Sequence, residues 1–171
     1  MPDITLRRGV YMNVLNGAER YAYFTTPYLI ISDELQRELT MAVKRGVDVR
    51  IITPGIPDKK TVFEVTRSNY GRLVNAGVRI YEYTPGFIHA KECICDDKLA
   101  VIGTINLDYR SLYLHFENGV LLYGCKAIQD MKVDYFDTLA KSTEVTEDYK
   151  KMPPARIAIK RSILRLFAPL L

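Results

Sequence analysis

His89 and Lys91 stand two residues apart in the stretch IHAKECICDD, and Asp96 follows the lysine after four intervening residues. Gly103, Thr104 and Asn106 come next. An imidazole can attack phosphorus as a nucleophile or protonate a leaving oxygen. A lysine ammonium neutralises phosphate charge, and a carboxamide donates to non-bridging oxygens. Together these groups suit a phosphate ester. No run of carboxylates accompanies them to hold a divalent cation, so the expected chemistry is metal-free and needs no cofactor. Taken singly, each has a plainer reading: a half-buried polar histidine, a solvated lysine. The joint spacing, followed by Gly-Thr-x-Asn, favours a site.

Such a site needs strand ends that converge. Residues 88–95 and 99–103 read as a strand pair around the acidic turn Asp96–Asp97. Residues two apart on a strand share a face, so His89 and Lys91 project together. The loop after the second strand can return Asn106 to their side. Upstream, Leu6, Val10, Val14 and Leu15 give a helical period over 5–19, and 20–26 reads as an aromatic-rich strand ending at Pro27. Ser32 or Asp33 caps a helix running to Arg45, which Gly46 stops. Strand 47–53, helix 61–75 and strand 78–83 follow, then strand 116–123 and helix 126–140. Early alternation and late hairpins predict an α/β fold, a mixed β-sheet flanked by helices on both faces. The expected organisation is a domain over 1–141, a linker over 142–154 carrying Pro153–Pro154, and a basic amphipathic C-terminal segment over 155–171.

The 171 residues, 48% hydrophobic and 26% charged, suffice for a packed core and exclude a disordered chain or a small disulfide scaffold. No stretch approaches the roughly 20 apolar residues of a bilayer span, and no secretory signal pattern opens the sequence. The net charge of +4 is uneven: residues 1–149 hold 18 basic and 20 acidic side chains, and 150–171 hold six basic and none acidic. A nucleic-acid binder spreads its cations over a folded face, so no nucleic-acid partner is expected. In the tail, Ile159, Ile163, Leu166, Phe167 and Leu170 gather on one helical arc with Arg161 and Arg165 off it, a pattern for an anionic membrane surface or for internal packing. Cys93, Cys95 and Cys125 lack zinc spacing and read as reduced thiols, the first two as buried filler.

His89-x-Lys91-x4-Asp96 with Gly103-Thr104-Ile105-Asn106 resembles the HKD signature of the phospholipase D superfamily. TTPYLI at 25–30, KRGVDVRIITP at 44–54, IYEYTPGFIHAK at 80–91, GTINLDYRSLYLHFENG at 103–119 and LRLFAPLL at 164–171 are similar to bacterial cardiolipin synthases, in particular to their C-terminal catalytic half.

The resemblance implies two such halves sharing one site. One histidine forms a phosphohistidine and the other acts as general acid and base. His89 is one of that pair, with the acid–base role favoured because the N-terminal motif of several relatives supplies the nucleophile. Lys91 and Asn106 would bind phosphate, Thr104 would keep a hydroxyl where relatives often have serine, and Glu117 would hold the imidazole by its other nitrogen. Asp96 would support the site without donating a proton. Tyr28 would line the entrance. Arg110 reads either as a phosphate contact or as an ion pair with Asp108, and His115 as a structural polar residue. The implied reaction joins two phosphatidylglycerols into cardiolipin and glycerol at the cytoplasmic face of the cell membrane. The implied partner is the N-terminal HKD half or a second copy of the chain. A homodimeric phosphodiesterase or nuclease and a non-catalytic lipid-binding half remain the alternatives.

Overall fold

The computed structural model describes residues 5–151. In chain order the elements are α1 (Thr5–Gly17), β1 (Tyr21–Thr25), β2 (Leu29–Ile30), α2 (Asp33–Lys44), β3 (Asp48–Pro54), α3 (Lys60–Asn75), β4 (Arg79–Tyr83), β5 (Glu92–Cys95), β6 (Leu99–Gly103) and β7 (Leu107–Asp108). A single π-helical turn, Arg110–Leu114, leads to β8 (Gly119–Tyr123), α4 (Ala127–Ala140), β9 (Ser142–Glu144) and α5 (Thr146–Lys150).

Seven strands form one sheet in the order β8-β6-β5-β1-β3-β4-β9. β1, β3 and β4 run parallel, and the remaining strands pair antiparallel. The period of two sorts side chains to the two faces. Ala22, Phe24, Val49, Ile51, Cys93, Cys95 and Val101 turn towards α1, α2 and α3, where they meet Tyr11, Leu15, Leu39, Tyr70 and Leu73. Tyr21, Tyr23, Ile52, Ile94 and Ala100 turn the other way, onto Ile128 and Tyr135 of α4. The fold is therefore the expected mixed α/β sheet with helices on both faces. Ser32 caps α2 by accepting from the Leu35 amide at 3.3 Å. Gly46 follows with a φ of +92° that favours glycine.

Three expectations change. The strand expected from residue 88 begins only at Glu92. Thr25, the last residue of β1, pairs with Glu92, so the ladder ends there and leaves His89 and Lys91 in the approach to β5. The strand expected from 116 begins at Gly119, opposite Gly103, because β6 ends there. Where a linker was expected, β9 closes the open edge of β4, Arg79 grips Glu144 through two nitrogens at 3.1 and 2.9 Å, and the Ile80 amide donates to the Thr146 hydroxyl at 3.0 Å. Val145 is buried and Tyr149 sits edge-on to Tyr70 at 4.9 Å. The tail over 155–171 lies outside the described residues. Cys93 and Cys95 are buried, free and on one face, as the filler reading requires.

Candidate active site

The carboxyl ends of β1, β3 and β4, the start of β5 and the end of β6 all open at one end of the sheet. In open α/β sheets the crevice outside the carboxyl ends of the strands is the usual ligand site. A second, two-stranded pairing assembles it: β2 lies parallel to β7, with Leu29 opposite Leu107 and Ile30 opposite Asp108. Thr26 secures that pairing by accepting from the Leu107 amide at 3.1 Å and donating to the Tyr28 carbonyl at 2.8 Å. Across the sheet, the Gly103 amide donates to the Lys91 carbonyl at 3.2 Å and the Thr104 amide to the Asn118 carbonyl at 2.8 Å. A Cβ on Gly103 would stand 2.2 Å from the Asn118 carbonyl oxygen, so the close approach requires glycine there.

His89 is exposed, its ring tilted against Phe87 at 5.5 Å, and Phe87 in turn meets Tyr28 at 6.4 Å. No hydrogen bond to the imidazole occurs among the described residues. Partial burial, then the neighbouring Lys91 ammonium, hold the imidazole below its ordinary range against the opposing pull of Asp58. Lys91 is only 9% exposed and donates to the His89 carbonyl at 2.6 Å. Burial lowers its pKa, while Glu117 and Asp108 attract the charged form. Asn106 donates to the Ser111 hydroxyl at 3.1 Å, and its Oδ1 is buried without a partner. A buried carbonyl left unbonded is costly unless a ligand or water supplies the donor.

An open cleft of about 250 Å³ is lined by Asn106, while His89 and Lys91 are not among its lining residues. Asp108 and Ser111 form its buried floor with Asn106 and Glu117, and Lys59, Arg110 and His115 form an exposed rim, with Tyr28, Ile30 and Val62 between. Tyr28 lines the entrance as expected, its hydroxyl donating to Asp58 at 2.6 Å. Burial, before the Asp58 hydrogen bond, raises that phenol.

Several expected roles change. Asp96 lies at the far end of β5, ~16 Å of extended chain from Lys91. Its carboxylate accepts from the amides of Glu19, Arg20 and Tyr21 at 2.7, 2.9 and 2.8 Å. It thus fixes the turn into β1 and takes no part in the cleft. Glu117 does not hold the His89 ring. The hydroxyls of Thr104 and Ser111 occupy its two oxygens, the latter at 2.9 Å, while the ring packs on Phe87. Thr104 also accepts from the Asn118 amide at 2.9 Å, so its hydroxyl locks the loop. Among the described residues Arg110 pairs with neither Asp108 nor any other carboxylate; it donates to His115 Nε2 at 3.2 Å. Asp108 instead accepts from the Ser111 amide at 2.7 Å, and burial, before those bonds, raises its pKa. His115, expected as structural, lines the cleft.

Ser111, Asp108 and Lys59 are the site residues that spacing did not single out. The Asp108-x-x-Ser111 step is a legible signal, since an aspartate often accepts from the amide three residues on. Lys59 carries none, because only the folded path of the β3–α3 connection brings it to the cleft. Among the described residues, no group of three His, Cys, Asp or Glu side chains is placed to hold a metal ion, and no helix is long and apolar enough to cross a membrane.

A family profile described as the phospholipase D-like domain of cardiolipin synthase matches residues 11–139. Cardiolipin synthase 2 of Bacillus cereus is 40% identical over 95% of the chain, which covers 32% of that protein. The chain spans about a third of the length of the curated relatives it matches. Among solved structures, Nuc from Salmonella typhimurium, a phospholipase D family member, superposes with a TM-score of 0.71 at 18% identity, over 80% of this chain and 89% of that one. Phosphatidylserine synthase of Haemophilus influenzae superposes with a TM-score of 0.74 at 17% identity, over 96% of this chain and 44% of that one. At those identities the two structures bear on the fold alone, whereas the profile covers β1 to β8, the cleft and the His89-x-Lys91 step together: the chain belongs to the phospholipase D-like domain family of the cardiolipin synthases.

Proposed function

We propose that this chain is one half of a phosphatidyltransferase that joins two phosphatidylglycerols into cardiolipin with release of glycerol. The observation that supports the reading is that the His89–Lys91 approach to β5 meets the end of β6, where the Gly103 amide donates to the Lys91 carbonyl and Asn106 follows at the edge of the cleft. A histidine from a second HKD half attacks the phosphodiester phosphorus, and a P–N bond forms as the P–O bond to glycerol breaks. His89, protonated, gives its proton to the departing glycerol oxygen. The neutral ring then takes the proton of the acceptor hydroxyl, whose oxygen attacks phosphorus as the P–N bond breaks. Lys91 and Asn106 stabilise the charge on the non-bridging oxygens throughout.

The second half is N-terminal to this one in the whole enzyme. The rim beside Glu117 supports a covering partner: Phe116 is 92% exposed, and Leu114, Val120 and Leu121 are exposed next to it. The test supplies the chain with the N-terminal half of a related synthase and phosphatidylglycerol vesicles. Cardiolipin and glycerol appear, and His89→Ala abolishes both. Cleavage of DNA by the chain alone, with no lipid product from the pair, assigns the site to a homodimeric phosphodiesterase instead.

A further inference from the structure

Lys59 and Arg110 reach the rim of the cleft from different elements, one from the connection into α3 and the other from the π-helical turn. Neither makes an ion pair among the described residues. α3 has no acidic residue in its first turn to neutralise Lys59. Arg110 uses only its Nε, on His115, which leaves four guanidinium donors unassigned. The carboxylates nearby are otherwise engaged: Asp108 with Ser111, and Glu117 with Thr104 and Ser111. Lys59 and Arg110 stand on the exposed rim, above the carboxylates of Asp108 and Glu117 on the floor and beside Asp58, and an anion that approaches the cleft meets the two rim cations first. Lys91 is not among the residues that line this cleft, and its charge is favoured by Glu117 and Asp108. Ile30 and Val62 give the same cleft an apolar wall.

Resting on the transfer reading above, we infer that Lys59 and Arg110 form a second phosphate subsite, which holds the phosphodiester of the acceptor phospholipid while Lys91 and Asn106 hold the phosphate in transfer. The arrangement selects an acceptor hydroxyl that carries its own phosphate over water or a neutral alcohol. The chemistry at phosphorus is unchanged: the acceptor's hydroxyl oxygen replaces the histidine nitrogen, and its proton passes to the His89 ring.

Amide and side-chain NMR of the 171-residue chain titrated with glycerol 3-phosphate tests this directly. Two sets of signals shift, one at His89 and Lys91 and one at Lys59, Val62 and Arg110. The double variant Lys59→Gln with Arg110→Gln weakens the second response at least tenfold, and Lys59→Arg restores it in the single-site background. In the assembled two-half enzyme, the double variant lowers the ratio of cardiolipin to phosphatidic acid at least fivefold. Shifts confined to His89 and Lys91, or an unchanged product ratio, overturn the subsite and leave the transfer reading standing. A wild-type assembly that makes no cardiolipin, with no response at His89, overturns both.

Discussion

The two ends of the central sheet are equally rich in charge, and they use it differently. At the Asp96–Asp97 turn both carboxylates are engaged. Asp96 takes three backbone amides, and Asp97 takes Arg20 at 2.8 Å, Lys132 at 2.6 Å and the Tyr21 hydroxyl at 2.8 Å. At the other end, among the described residues, the His89 ring has no hydrogen bond, Asn106 Oδ1 is buried without one, and Lys59 and Arg110 make no ion pair. Density of polar groups therefore does not distinguish a site from a brace. Unfilled bonding capacity close to the motif residues sets the open end apart, although Tyr135 on the face covered by α4 also buries a hydroxyl without a partner.

The sharpest way to break this contrast is a crossed pair of variants. His89→Ala removes an exposed ring with no bonded partner. It lowers phosphatidyl transfer by about a thousandfold or more and leaves the melting temperature unchanged. Asp96→Ala does the reverse. It strands three amides and places alanine at a φ of +53°, at a cost of about 3 kcal/mol, or ~6–12 °C in melting temperature, with turnover per folded molecule retained. Thermal melts and product assays on both variants check this. Equal loss of activity in the two, at equal folded fraction, would show that the ends are not separate.

The braced end should also announce itself in acid. Burial raises the Asp96 pKa, but the three amide bonds and Arg20 outweigh it, and the net value lies below the ordinary range. Asp97 is held lower still, first by Lys132 and then by Tyr21. Both groups bind protons more readily unfolded, so their stabilisation is complete above the unfolded value of about 3.9 and fades as pH falls through the folded values. Urea midpoints at pH 7 and pH 3 measure it. In Asp97→Asn the difference between the two midpoints shrinks; an identical difference in the variant would remove Asp97 from the brace.

Gly103→Ala probes the boundary between brace and site. The added methyl meets the Asn118 carbonyl and must push the Thr104–Glu117 loop aside, at about 1–3 kcal/mol. Activity falls further than stability explains, because Asn106 leaves the same strand end. A loss of activity that merely tracks the melting temperature would mean that the loop does not position Asn106.

What the sequence made legible follows from the same physics. α2, β3, α3 and β4 carry their own signals: Ser32 at a cap, apolar periods, Gly46 and Gly77 at stops. His89, Lys91 and Asn106 were legible as a motif. β2 and β7 were not, because two residues each hold no period and exist only through Thr26 and the pairing of Leu29 with Leu107. β9 was hidden for a similar reason: Ser-Thr-Glu has no strand pattern and is held by Arg79 and the open edge of β4. The cleft depends on β2 meeting β7, so Lys59 could not be read beforehand. Asp96 was legible as a structural residue at the turn after β5, but not near the site, because the strand between Lys91 and Asp96 carries it away from the cleft.

The finest test of the contrast concerns the His89 ring itself. Partial burial and the Lys91 charge favour its neutral form, and Asp58 opposes them. The ring therefore titrates below the ordinary histidine value of 6.5, so the protonated form that donates to the departing glycerol is lost at a lower pH than in a free imidazole. Lys91→Gln removes a like charge and moves the midpoint up. Asp58→Asn removes the one attractive carboxylate and moves it further down. Proton NMR of the ring signals resolves both shifts, and the alkaline limb of transfer activity, where the protonated ring is lost, moves to lower pH in Asp58→Asn. A midpoint at or above 6.5 in the unaltered chain, or shifts of the opposite sign in the two variants, would mean that the ring lies outside the field of Lys91 and Asp58, and the open end of the sheet would lose the group on which its contrast with the braced end depends.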